Sequence, residues 1–234
     1  MRHRSLFKCY GDPQWAEAFL DGWFRFRSLN YFRDYEDQVR GDPNEGRSIF
    51  RPPGGLVVHN KTQGTTFSLP GTTFESAAKE AEIFVFCLSR GLTTAMWKGF
   101  KAAVCIETTN VGAFLARVQD ALPRNASFIG PPSRVGWQVR YYDHAQGPGG
   151  RWAQPGKIAI SKTWDYSWQD EFRLVFSLTD ALAFENVRVS LTDNKKQSKF
   201  SAPHAYFDVH TRGLRDICRV HNAPVGNTAL PLHT

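Results

Sequence analysis

The residues with the most chemical potential lie in the run KTWDYSWQDEFR, residues 162–173. From residue 171 the chain alternates like a strand: Phe172, Leu174 and Phe176 take one face, leaving Glu171 and Arg173 together on the other. A glutamate opening a strand after an aromatic turn, beside Trp164 and Trp168, is a carboxylate that a fold can partly desolvate and hold in place. Such a group stabilises a developing positive charge or accepts a proton. The alternative is a strand-edge carboxylate neutralised by Arg173. The residues alone leave both open.

A second constellation occupies residues 23–46. Phe24 and Phe26 point one way from a short strand, and Arg25 and Arg27 the other. A turn at Ser28 lets Arg25, Arg27, Ser28, Tyr31 and Arg33 converge on one side, with Phe32 and Arg40 further along. Guanidinium groups suit bidentate phosphate contact and a tyrosine face suits stacking on a flat ring. Equally open is a basic, solvent-facing strand whose arginines pair with Asp34, Asp37 and Asp42. The acidic run Asp34, Glu36, Asp37 and Asp42 is the densest carboxylate group a metal-dependent nuclease would need, but its spacing around Pro43 reads as turn and ion-pair chemistry.

The elements that must position these residues are predicted as follows. Residues 6–10 form a first strand, and 13–21 a helix capped by Asp12, with Pro13 at its first position and Gly22 closing it. Trp15, Ala18 and Phe19 give that helix its apolar face. Residues 28–40 are helical or an irregular loop, and 40–46 are a turn. Residues 55–59 and 65–69 make a hairpin. Strands follow at 81–88 and 102–108 around a helical turn at 94–97, then a helix at 111–122 with Phe114, Leu115, Val118 and Leu122 at helical spacing. Residues 135–142 alternate as a strand, 143–156 are a glycine-rich loop, and 158–164, 171–178 and 187–191 are strands. A short helix covers 214–221, and the tail from 223 frays. This describes one α+β domain over residues 1–222 with a flexible tail at 223–234.

Composition narrows the partners. A net charge of +7, from 29 basic and 22 acidic residues, favours a polyanion such as nucleic acid, a phosphate-bearing ligand or an acidic protein surface. Aromatics at 14% leave rings to spare for stacking after the core is filled, with Trp137, Trp152, Trp164 and Trp168 the candidates. The four cysteines have no CxxC pair, and Cys87 and Cys105 sit in apolar runs that suit reduced, buried thiols. No histidine spacing suits a metal, and no GxGxxG, Walker, HExxH or GxSxG motif occurs. The amino terminus lacks a signal-peptide h-region and no apolar stretch reaches membrane-spanning length, so the expectation is a cytoplasmic protein with no membrane partner.

Taken together, the opening LFKCY at 6–10, the run at 26–46, the FCLS segment at 86–89 with Trp97, and WQDEFR at 168–173 resemble the ADP-ribosyltransferase superfamily. Within it they are similar to bacterial toxin and phage-defence enzymes that modify nucleic acids. The resemblance spans most of residues 6–176. It implies a split, two-sheet core with peripheral helices and NAD in the cleft. Glu171 would match the catalytic glutamate, with Gln169 giving a Gln-x-Glu pattern, and Tyr31 and Arg40 would match positions near the nicotinamide. Lys8 would match a ribose contact, and Arg25, Arg27, Ser28 and Phe32 would complete the cofactor site. The usual first-strand histidine and the Ser-Thr-Ser motif of the arginine-specific branch are absent. The implied activity is transfer of ADP-ribose from NAD to an RNA or DNA base, with an antitoxin or regulatory protein as a further partner. The alternatives are a protein acceptor, or a non-catalytic nucleic-acid-binding or protein-interaction module.

Overall fold

The computed structural model describes residues 5–34, 41–130, 134–147, 149–193 and 203–224. The first half contains β1 (Leu6–Tyr10), α1 (Pro13–Leu20), β2 (Trp23–Ser28), α2 (Leu29–Arg33), β3 (Arg47–Phe50), β4 (Leu56–Asn60), β5 (Thr65–Leu69), β6 (Thr72–Ala78), β7 (Ile83–Ser89) and α3 (Thr94–Gly99). The second contains β8 (Val104–Thr108), α4 (Val111–Ala121), β9 (Gly136–Gln138), β10 (Arg140–Tyr142), α5 (Pro155–Ala159), β11 (Ser161–Thr163), β12 (Glu171–Ser177), β13 (Val187–Asp193), β14 (Tyr206–His210) and β15 (Cys218–Asn222). The mixed α+β class expected from the sequence is what is found. No helix among the described residues is long and apolar enough to cross a membrane.

An eight-stranded antiparallel sheet dominates, running β14-β2-β7-β1-β8-β15, with β12 and then β9 joined to β7. The connection at β7 is unusual. All of Glu171–Ser177 pairs along one of its edges. The other edge is shared: β2 pairs at Phe84 and Val85, and β1 meets it only at Ser89. The strands β1 and β2 therefore diverge from a common edge, and the Cys87 carbonyl between them is taken by Lys8 Nζ at 2.8 Å. A separate three-stranded sheet, β13-β6-β3, and the β4–β5 and β10–β11 pairs complete the strands.

The larger core covers one face of this sheet. Phe24, Phe26, Phe86, Leu174 and Phe176 meet Phe19 of α1 and Phe114 and Val118 of α4. These rings meet mostly tilted or edge-on, the geometry aromatic pairs prefer: Phe26 lies 5.0 Å from Phe176 in a T-shape. On the opposite face Val85 and Val175 pack on Ile158 and Ala159 of α5 and Leu29 of α2. Asp12 caps α1 through the Gln14 N–H, and Gly22 turns into β2 at φ 92°, where a Cβ would sit 2.4 Å from the Thr211 carbonyl oxygen.

Several expectations need correction. Residues 158–164 are not one strand: Pro155 starts a helical turn at its favoured first position, and only Ser161–Thr163 is extended. The expected loop at 143–156 therefore includes a 3₁₀ turn, Gly149–Ala153, and the start of α5. Residues 135–142 break at Val139, with β9 pairing β12 and β10 pairing β11. Instead of a helix at 214–221 there is a 3₁₀ turn followed by β15, because the free edge of β8 recruits it. In α1 the buried face is Ala16, Phe19 and Leu20, which leaves Trp15 60% exposed. Strands β3, β6 and β14 were not expected. Cys105 is not a reduced thiol: it lies opposite Cys9 across β1 and β8 and is disulfide-bonded to it. Of the expected tail, residues 225–234 lie outside the described residues.

Phe26 tests the aromatic core. It has no solvent exposure, so Phe26→Ala is expected to lower unfolding stability by about 3–5 kcal/mol, read as a shift in the urea midpoint. A loss below about 1 kcal/mol would show that the ring cluster is loosely packed.

Candidate functional site

Where β1 and β2 diverge, a cavity of about 460 Å³ opens. That is within the range of small-ligand pockets, roughly 300–1,000 Å³. Its walls come from β1, β2 and β7, and Glu171, Gln169 and Lys162 border it at one end. Trp15 and Trp23, both more than half exposed, border it as well.

Glu171 sits here for a local reason. The 3₁₀ turn Trp164–Gln169 lays Trp168 against Gly99, where any Cβ would lie 2.6 Å from the indole, and Asp170 then adopts a left-handed backbone before β12 begins. Glu171 is only 3% exposed. Its backbone N–H donates to the Tyr141 hydroxyl at 2.8 Å.

Its carboxylate belongs to a buried network of charges. Arg173 Nε donates to Glu171 Oε1 at 2.7 Å, and the two terminal nitrogens of Arg173 donate to Glu45 at 2.6 and 2.7 Å. Arg173 also donates to the Ala159 carbonyl at 2.6 Å. Lys162 Nζ donates to Gln169 and stands 3.0 Å from Glu171 Oε2 without hydrogen-bond geometry. Oε2 is thus buried and accepts no hydrogen bond among the described residues.

The electrostatics follow from this packing. Burial pushes the Glu171 carboxyl up, but Arg173 and Lys162 more than offset it and hold it well below the usual carboxylate range. Burial pulls Lys162 down, yet Glu171 and Glu45 raise it to about 12. The Cys87 thiol beside Glu171 is pushed up to about 12 by burial and by that carboxylate. Glu171 is therefore ionised and the thiol neutral near pH 7. A carboxylate held this low is a poor proton acceptor, so its chemistry is electrostatic rather than that of a general base.

The cavity gathers Lys8, Arg25, Arg27, Tyr31, Phe32 and Glu171 from the residues singled out in the sequence. They are not equivalent. Arg25 is committed to Asp208 of β14 by a bidentate pair at 2.6 and 2.7 Å, so the pairing alternative holds for it, with a different carboxylate from those expected. Arg27 forms no ion pair among the described residues, and its guanidinium lies 4.5 Å over the Tyr31 ring. Lys8 spends a proton on the Cys87 carbonyl and lies 4.5 Å over Phe86. Ser28 is misplaced in the expected site: it is fully buried and its hydroxyl bonds the Ala205 backbone. Arg40 lies outside the described residues, as do Glu36 and Asp37. Of the acidic run, Asp34 contacts Arg33 and His204, whereas Asp42 is 1% exposed. No three described His, Cys, Asp or Glu side chains are arranged to hold a metal.

Lys162 and Glu45 fall within the two constellations read from the sequence, residues 162–173 and 23–46, but were given no role in the site. Glu45 looked like a turn residue; it is fully buried because that turn packs on β12. The one available signal was compositional, since Arg173 on a strand face needs a carboxylate beyond Glu171 to be buried.

No protein-family model, curated protein or solved structure matches the chain.

Asp42 gives a pH test of this network. Burial, joined by Glu45, pushes it up to about 6, above the ordinary carboxyl value. A raised folded-state value favours the fold while the group is protonated, and that contribution is lost as pH rises through about 6. Asp42→Asn keeps the acceptor that caps the Asn44 N–H. The variant is expected to be more stable than wild type near pH 8, by up to about 3 kcal/mol, with the gain vanishing below about pH 4. Urea unfolding at both values checks this. Equal destabilisation at both would instead make Asp42 an ionised, paired member of the network.

Proposed function

We propose that the chain is an NAD-dependent mono-ADP-ribosyltransferase, a toxin-like effector built on an ADP-ribosyltransferase-like split core. The observation that carries this reading is Glu171: an ionised carboxylate at the edge of the cleft between diverging strands, whose Oε2 is ion-paired with Lys162 at 3.0 Å but accepts no hydrogen bond of good geometry among the described residues. A ribose 2′-hydroxyl is a donor of the right kind for that oxygen. In the reaction the bond between nicotinamide and ribose C1′ breaks, and its electron pair leaves with the nicotinamide nitrogen. The acceptor nucleophile forms the new bond to C1′ and releases its proton. The transition state is oxocarbenium-like, as in glycoside hydrolysis, and a fixed negative charge beside it lowers the barrier.

Other side chains have matching tasks. Arg27, without an ion pair among the described residues and lying over the Tyr31 ring, would bind the pyrophosphate. The rings of Tyr31 and Phe32, in T-shaped contact at 5.2 Å, would wall the nicotinamide. Trp15 and Trp23 offer exposed faces for an adenine. Lys162 and Arg173 would keep Glu171 ionised and immobile.

The tests are nicotinamide release from NAD without added metal, and thermal shifts on adding NAD. Glu171→Gln is expected to lower turnover by about 10²–10³. It also strips Arg173 and Lys162 of a counter-charge, so stability should fall by up to about 3–5 kcal/mol while the protein remains folded at low temperature. Wild-type turnover in this variant would sink the assignment.

The two strand arginines should separate. Arg27→Ala is expected to weaken NAD binding on the order of tenfold, as loss of a charge-assisted contact does. Arg25→Ala should change it much less, because Asp208 already claims that guanidinium. Equal effects would mean that the pyrophosphate lies elsewhere.

A further inference from the structure

A second groove, about 1030 Å³, lies beside the cleft, lined by β9, β10, α5 and the turns around them. Arg134, Arg140 and Lys157 border it, and none forms an ion pair among the described residues. No aspartate or glutamate lines it among those residues. Two bordering rings are strongly exposed, Trp164 at 57% and Phe184 at 66%. Arg134 and Arg140 are solvent-exposed, and the Arg134 guanidinium already lies 3.8 Å over the Trp137 ring, so the groove sets cations and ring faces side by side with no carboxylate between them among the described residues.

We propose that this groove binds single-stranded nucleic acid, its cations tracking the phosphates and its rings stacking on unpaired bases. A duplex would satisfy the cations but bury its base faces, leaving Trp164 and Phe184 idle. An acidic peptide would match the charge without needing the rings. The groove adjoins Glu171 through one hydrogen bond: Tyr141 lines the groove, and its hydroxyl accepts the Glu171 N–H. A base stacked against Tyr141 would therefore lie next to the candidate transfer site. The strand's role as acceptor rests on the proposed function; its binding does not.

The experiment is fluorescence anisotropy with labelled DNA and RNA single strands of about ten nucleotides, between about 50 and 200 mM salt. The wild-type chain is expected to bind at least one of them, with affinity falling as salt rises. The double variant Arg134→Glu with Arg140→Glu should lose tenfold or more, and the log–log salt slope should fall by about 1.4, roughly 0.7 for each phosphate contact on a single strand. A control of equal charge change, Arg212→Glu with Arg219→Glu, alters arginines 74% and 69% exposed outside the groove and should have a much smaller effect. Trp164→Ala should cost on the order of tenfold with the salt slope unchanged.

Equal losses in the groove and control variants would overturn the site, leaving only the field of a +7 protein. So would duplex binding as tight as single-strand binding, displacement of the strand by a polyglutamate peptide at comparable concentration, or no binding of either strand. Glu171→Gln should bind the strand normally. If it does so while wild type releases no nicotinamide from NAD, the groove stands and the transferase reading falls.

Discussion

Arg173 has no solvent exposure at all, and much of the structure follows from satisfying it. A guanidinium removed from water is strongly unfavourable unless its protons are bonded and its charge balanced. Here the balance comes from segments distant in sequence: Glu45 from the turn before β3, the Ala159 carbonyl from α5 and Glu171 from the start of β12. Lys162 from β11 then answers the negative charge that Arg173 leaves over. A network of this kind contributes less to net stability than an apolar core of the same volume. It is sensitive to geometry, however, because removing one member strands another.

That geometry delivers an ionised, immobile carboxylate to the end of a cleft. The cleft itself exists because β7 cannot pair with both β1 and β2 along one edge. Each takes an end of it, and the cavity opens where they part. The ladder that would have closed this space is replaced by a single side-chain bond from Lys8 to the Cys87 carbonyl. Backbone hydrogen bonding is thereby kept while room is left for a ligand.

Charge is distributed with the same economy. Several arginines are committed to carboxylates: Arg25 to Asp208, Arg117 to Asp216, Arg215 to Glu17 and Asp21. Among the described residues Arg27 in the cleft and Arg134, Arg140 and Lys157 in the groove form no ion pair, and neither do Arg51, Arg124 and Arg188 elsewhere. Unpaired cations therefore occur over the surface generally, and what sets the cleft and the groove apart is that theirs border concave walls and rings, the combination an extended anion with flat bases can use.

Local sequence determined the elements whose signals are local. The Asp12 cap with Pro13 fixed α1, strict alternation fixed β2 and β12, and the spacing of Phe114 and Val118 fixed α4. Those patterns also put Arg25 and Arg27 on one face and set Glu171 opposite the aromatic core. Tertiary structure decided everything that depended on a partner far along the chain. Residues 218–222 became a strand because β8 had a free edge, and Cys105 became half of a disulfide because the β1–β8 register set Cys9 against it. Ser28 went to the β14 side of its strand, away from the ligand space. Glu45, a turn residue by its neighbours, became a bidentate counter-charge of a buried arginine. Periodicity records which face a side chain takes, but pairing energy, desolvation and charge balance depend on what the fold brings against that face.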